Sequence, residues 1–217
     1  MIEGVEIEVR PEAVVVTAAR PLTVLSSAVA GGGLTTARSI VNLHVHKHCP
    51  WEDAGLRLDA FAARRALPTP WVGLLTAAWT EKAQVASASA AGITALAVVT
   101  VGLGNPVAAG LSARATMPPS TINTVVIVDA VVEPAALVNL VMTATEVKAL
   151  VLAEAGLRCP DGQPATGTST DAVVIAATGR GVPARFGGPI SDAGWVVAHA
   201  ARTALAEGVA RWMDEHR

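Results

Sequence analysis

Ile122-Asn-Thr-Val-Val-Ile-Val-Asp-Ala130 is the stretch on which the fold class turns. Its middle is an unbroken apolar, β-branched run. That suits a strand covered on both faces, because a strand with one wet face would alternate apolar and polar residues. Similar runs occur at residues 13–18, 71–77, 93–101 and 171–177. Residues 5–9 alternate with glutamate and fit an edge or half-exposed strand, and residues 39–46 offer another. Helices interleave with these strands. Residues 52–67 predict one, with Leu56, Ala60 and Ala63 inward and Arg57, Arg64 and Arg65 outward. Pro134 and Gly156 bracket a long helix, as the usual asymmetry of helix ends requires. Ser191 or Asp192 caps a closing helix that runs to about Glu215. Residues 104–106 carry turn chemistry, and residues 114–120, with Pro118 and Pro119, read as a loop. The order is no clean βαβ alternation. The expectation is therefore an α/β (α+β) class protein: one layered domain over residues 1–217, with a mixed, mostly buried β-sheet and helices packed on it.

Composition agrees. The chain has 217 residues, 52% hydrophobic and only 16% charged, with a net charge of -2. Its mean hydropathy is +0.47. A chain this apolar can offset its ordering entropy by burial, so disorder is excluded. Acidic and basic residues nearly balance, which argues against a nucleic-acid partner. Residues 83–104 hold no charged residue, yet they are rich in Ala, Ser, Thr and Gly with Gln84 at one end, and strong insertion drivers cluster only from 93 to 103, too short a stretch to span a bilayer. The first ten residues are acidic and alternating, unlike a signal or transit peptide. No membrane and a cytoplasmic location are expected. Cys49 and Cys159 lie far apart and each precedes a proline, so reduced thiols are expected.

On the 134–155 helix, Leu137, Val138, Leu140, Val141, Ala144, Val147, Val151 and Leu152 set an apolar arc. Asn139, Thr143, Glu146 and Glu154 fall opposite. Lys148 falls inside the apolar arc, with Thr145 near it. A lysine there must snorkel outward or meet a partner, because an unpaired buried ammonium is costly. It reads as a structural ion pair or as a site residue. Gly167-Thr-Ser-Thr-Asp171 offers backbone N–H groups, three hydroxyls and a carboxylate just before a buried strand. It could hold an oxyanion, with Asp171 pairing Lys148, or it is a plain polar lead-in to the strand. Ser120-Thr-Ile-Asn123 is a similar lead-in. Ser26 and Ser27 precede the glycine turn at 31–33, as exposed hydroxyls or as a pair capping a turn. The glycines match neither the dinucleotide fingerprint nor the P-loop. His44, His46 and His48 would share one face of a strand, as a metal site or as a His-rich surface.

Several pieces, taken in order, resemble the adenosylcobinamide amidohydrolase family. They are Leu25-Ser-Ser-Ala28 with Gly31-Gly-Gly-Leu34, Ile40-Val-Asn42, Val72-Gly-Leu-Leu-Thr-Ala77 and Val98-Val-Thr-Val-Gly-Leu-Gly-Asn-Pro106. Thr121-Ile-Asn123 running into Val125-Val-Ile-Val-Asp129, Thr143-Ala-Thr-Glu-Val-Lys148 and Ala165-Thr-Gly-Thr-Ser-Thr-Asp171 continue the series. The family usually has alanine where Val147 stands. The resemblance implies cleavage of the aminopropanol amide of adenosylcobinamide to adenosylcobyric acid, serving cobinamide salvage for coenzyme B12. It implies no resident cofactor, since the cobalt belongs to the substrate, and a small-molecule corrinoid partner, with a homo-oligomer allowed. It places Ser26, Ser27, Asn42, Thr76, Thr100 and Asn105 at the substrate, together with Thr121, Asn123, Thr145, Thr168 and Thr170. Glu146 or Asp171 would act as general base, and Lys148 would stabilise the oxyanion or protonate the amine. Residues 168–177 also resemble part of the ornithine acetyltransferase and β-peptidyl aminopeptidase folds, which implies an αββα sandwich. A corrinoid is a large macrocycle fringed by amides, so neutral Asn, Thr and Ser groups around one tetrapyrrole-sized hollow are expected. A metal-dependent hydrolase using His44, His46 and His48, and a corrinoid binder without catalysis, stand as alternatives.

Overall fold

Two stretches of one strongly bent sheet face each other, and helices cover both outer sides. The computed structural model describes residues 1–47, 49, 51–114 and 120–217. The strands are β1 (Val5–Val9), β2 (Ala13–Ser26), β3 (Gly33–His44), β4 (Trp71–Thr76), β5 (Gln84–Ala90), β6 (Ile93–Val101), β7 (Pro106–Val107), β8 (Ile122–Val128), β9 (Val131–Val132), β10 (Gly167–Thr168), β11 (Ala172–Ala177) and β12 (Pro183–Ala184). The helices are α1 (Ala54–Arg64), α2 (Pro134–Glu154) and α3 (Asp192–Glu215). The main sheet has eight strands in the order β4-β3-β2-β11-β8-β6-β5, with β1 added to β2. It is mixed: β3 with β4 and β8 with β11 are parallel, and the other pairs in it are antiparallel.

Side-chain alternation along the strands explains the layers. Val125 and Ile127 of β8 and Val174 and Ala176 of β11 point to one face. There they meet Val16 and Val24 of β2, Ile40 of β3 and Leu74 of β4. Their neighbours Val126, Val128, Ile175 and Ala177 point the other way, into a core closed by α2 and α3. A third core lies outside β2 and β3, where Leu58 and Phe61 of α1 cover Val15, Val41 and Leu43. The order α1, sheet, sheet, α2 with α3 is the αββα arrangement. Strands in the middle are buried on both faces, which is why they read as continuous apolar runs.

Three elements differ from the sequence reading. The α1 face is set by Leu58 and Phe61, which leaves Leu56, Ala60 and Ala63 on the exposed side. The larger side chains won the register. β5, Gln84-Val-Ala-Ser-Ala-Ser-Ala90, is an alternating strand of small residues that carries too little hydrophobic contrast to be seen. It pairs with β6 through a two-residue hairpin in which Ala91 (φ 50) and Gly92 (φ 77) both take positive φ, so the uncharged stretch 83–104 is largely a hairpin. On α2, Thr143 is buried and Val138 exposed, because the Thr143 hydroxyl donates to the Gly187 carbonyl (2.9 Å). Gly187 packs so tightly that a Cβ there would sit 2.4 Å from the Ala136 carbonyl oxygen. By length and composition α2 is the one helix among the described residues able to cross a membrane, and 44% of that stretch is buried inside the fold. The loop with Pro118 and Pro119 lies outside the described residues.

Candidate functional site

Strand direction brings the polar lead-ins together. β8 and β11 run parallel, so their starts, Ser120–Asn123 and Thr168–Asp171 by sequence, lie side by side. β6 is antiparallel to β8, which sets its end beside them, with Thr100 opposite Asn123. The ends of β3 and β4 face this group across the sandwich. The Asn123 amide reaches over and donates to Asn42 Oδ1 (2.8 Å) and to the Leu75 carbonyl (2.9 Å). Asn42 Nδ2 in turn donates to Thr100 Oγ1 (2.9 Å). Thr121 Oγ1 lies 2.8 Å from both Asn123 Oδ1 and the Thr170 carbonyl. Thr168 and Thr170 both donate to the Ser120 carbonyl, at 2.7 and 2.9 Å. The chain of hydrogen bonds is continuous from Thr100 to Thr168, and it ends at a charge.

That charge is Asp171. Its Oδ2 is 2.5 Å from Lys148 Nζ and accepts the Thr168 N–H at 3.0 Å. Its Oδ1 accepts the Ile122 N–H at 2.9 Å and makes a short contact with the Thr168 hydroxyl. Both side chains of the pair are about nine-tenths buried, whereas in every other ion pair among the described residues both side chains are a third or more exposed. Gly167 makes room for it. A Cβ there would lie 2.5 Å from Asp171 Oδ2 and 2.9 Å from Lys148 Nζ. We expect Gly167→Ala to force the pair apart and to destabilise the fold by about 1–3 kcal/mol, read by urea unfolding. An unchanged midpoint would show that the loop can give way.

The Asn pair has a structural consequence of its own. Asn42→Ala leaves one buried amide proton of Asn123 without its acceptor, so a loss of about 1–3 kcal/mol is expected in the same measurement. A neutral result would mean that the amide turns to another partner.

Ser27 completes the wall. Its N–H donates to the Val173 carbonyl (3.0 Å), and its hydroxyl oxygen accepts the Val173 N–H (3.1 Å), leaving the hydroxyl proton to donate elsewhere. Ser27, Leu75, Asn123, Thr170 and Asp171 line a cleft of about 160 Å³. A second hollow, about 300 Å³, has Ser120 in its wall. The polar strand tips converge as expected, but neither hollow is large enough for a tetrapyrrole. An arm of one could enter.

Other expected site residues sit around or away from this network. Asn105 is buried and its Nδ2 donates to Ser169 Oγ (2.7 Å), at its edge. Thr76 is buried, with its hydroxyl accepting the Ala78 N–H (3.0 Å). Ser26 accepts the Ala28 N–H (3.4 Å). Thr145 is exposed and donates back to the Val141 carbonyl (2.8 Å). Glu146 is exposed on α2, away from Asp171's hydrogen-bond network. His44 Nδ1 lies 2.9 Å from the Ala78 carbonyl and its ring stacks on Trp79. His48 lies outside the described residues, and among those described no three His, Cys, Asp or Glu side chains are placed to hold a metal. Sequence reasoning quoted Ser120, Ser169 and Gly167 within two polar lead-ins but gave none of them a role of its own. The paired lead-ins Ser120-Thr-Ile-Asn123 and Thr168-Ser-Thr-Asp171 were the available signal, once their two strands are taken as parallel neighbours.

Comparison with known proteins bears on the identity. Among the solved structures that resemble the chain are the following two. One is a Burkholderia sp. beta-aminopeptidase, with 18% identity over 94% of this chain and 79% of the other, at a TM-score of 0.46. The other is the PH0078 protein from Pyrococcus horikoshii OT3, with 14% identity over 99% and 80%, at a TM-score of 0.48. No curated protein matches the chain. The family described as adenosylcobinamide amidohydrolase matches residues 1–217. The chain therefore belongs to the adenosylcobinamide amidohydrolase family, hydrolases of amide bonds.

Proposed function

We propose that the protein hydrolyses the aminopropanol amide of adenosylcobinamide, releasing aminopropanol and adenosylcobyric acid for cobinamide salvage toward coenzyme B12. The observation that carries this reading is the buried Lys148–Asp171 pair, whose carboxylate reaches the wall of a cleft where the other polar side chains, Ser27, Asn123 and Thr170, are neutral and the rest are apolar. Such a lining suits an amide-fringed substrate. The cleft takes one amide arm while the macrocycle stays outside. The cobalt arrives with the substrate, no resident cofactor takes part, and the reaction belongs to the cytoplasm.

Asp171 is the general base. Its four acceptor positions are all engaged, but one engagement is negotiable: the single Thr168 hydroxyl proton lies between Asp171 Oδ1 and the Ser120 carbonyl. When that proton turns to Ser120, Oδ1 can accept a proton from water in the cleft. The oxygen of that water attacks the amide carbon, and the Ser27 hydroxyl donates to the carbonyl oxygen as negative charge gathers there. The carbon–nitrogen bond then breaks, and Asp171 returns its proton to the leaving amine. Lys148 does not line the cleft. It acts through Asp171, fixing the carboxylate and supplying the counter-charge.

Incubation of the protein with adenosylcobinamide tests the reading. One aminopropanol should appear per corrinoid acid formed. A shift of the visible spectrum on binding, with no amine released on long incubation, would instead make the protein a corrinoid binder.

A further inference from the structure

The 300 Å³ hollow plays no part in the hydrolysis above, yet its walls bring together indoles, imidazole and cations. Aromatic residues are only 3% of the chain, and two of its five tryptophans, Trp79 and Trp212, line this one space. Each indole is braced by an imidazole: His44 stacks on Trp79 at 5.0 Å and 16°, and His216 stacks on Trp212 at 4.0 Å and 10°. A cationic edge joins them. Glu215 is held by Lys82 (2.6 Å) and by Arg211 (3.3 Å), and these hydrogen bonds, Lys82's first, keep its carboxyl below the usual range. With Lys47 also present, three cations face one anion in the lining. The wall toward the strand tips includes Gly102 and Gly104 beside Val101 and Ser120, and the Gly104 N–H is fixed to Ser120 Oγ at 2.9 Å.

Indole sides, a glycine floor and cationic donors at the edge suit a flat, electron-rich heterocycle. We propose that this hollow binds the adenine of the substrate's adenosyl group, so that the protein selects corrinoids that carry it. The proposal rests on the substrate assigned above. Ser120 in this wall and Asn123 in the cleft wall are three residues apart, about 10 Å of extended chain. A macrocycle resting outside both hollows can thus place its adenosyl group in one and its amide arm in the other.

The test compares adenosylcobinamide with cyanocobinamide, which lacks adenine, for the unaltered protein, Trp79→Ala and Trp79→Phe. Trp79 is exposed, so its replacement spares the fold. Dissociation constants by calorimetry and aminopropanol release are both recorded. The unaltered protein should bind the adenosyl form about 10- to 100-fold more tightly, the scale of one base–aromatic stack. Trp79→Ala should remove most of that ratio by weakening the adenosyl form alone, and Trp79→Phe should keep most of it. Equal affinities in the unaltered protein, or an equal loss for both corrinoids in Trp79→Ala, would overturn the proposal. If neither corrinoid yields aminopropanol, the amidohydrolase reading fails, while the ratio of affinities still decides this one.

Discussion

Lys148→Met should lower the stability of the protein by about 3–5 kcal/mol, the scale seen when one partner of a buried ion pair is removed. The methionine keeps most of the stem's packing inside α2's apolar arc, so the loss comes from the charge left behind on Asp171. That carboxylate is nine-tenths buried and anchors the start of β8 through the Ile122 N–H and the start of β11 through the Thr168 N–H. Asp171→Asn alone strands the ammonium instead. The double variant Lys148→Met/Asp171→Asn strands no charge, and its carboxamide oxygen can still accept one of the two main-chain N–H groups. It should therefore be less destabilised than the sum of the single variants, by 1 kcal/mol or more. Urea unfolding of all four proteins gives the cycle. Additivity within about 0.5 kcal/mol would mean that the two groups are energetically independent, despite their 2.5 Å separation.

Asp171→Asn has its second large effect on turnover. A positioned general base contributes about 10²–10⁴-fold, and the carboxamide that replaces it cannot accept the proton from water. We expect kcat for aminopropanol release to fall by that factor, with KM changed little, because the amide arm is still met by Ser27 and Asn123. The assay belongs at a temperature where unfolding controls show the variant folded. Thr168→Val separates the parts further. It removes the hydroxyl that lies between Asp171 and Ser120 and should lower kcat by less than the loss of the carboxylate does. An Asp171→Asn protein that turns over at the unaltered rate would remove Asp171 from the chemistry and leave it as an anchor for two strands.

The layered architecture was legible because residues 125–128 of β8 and 172–177 of β11 are unbroken apolar runs, which suit a sheet covered on both faces. Lys148 was legible too, since its place in the α2 arc demanded a partner, and Asp171 was the one suggested. Glu146 was put forward with Lys148 as part of the Thr143-Ala-Thr-Glu-Val-Lys148 motif. Two residues from Lys148 on a helix is about 200° of rotation, so the two side chains diverge, and Glu146 is exposed where Lys148 is buried. The role of Ser120 was hidden for another reason. Its main-chain carbonyl, not its side chain, receives the Thr168 and Thr170 hydroxyls, and no residue type announces that. The size of the hollows depends on how far apart the two sheet faces stand, which pattern alone does not encode.

The most direct measurement is the mass of the corrinoid recovered after incubation in water enriched in ¹⁸O, set beside the aminopropanol released. Attack of a water oxygen on the amide carbon predicts an acid carrying one heavy oxygen and an equal amount of free aminopropanol, both formed about 10²–10⁴-fold more slowly in Asp171→Asn. A corrinoid returned with its amide intact, or an acid formed as fast by the Asp171→Asn protein, would contradict the account.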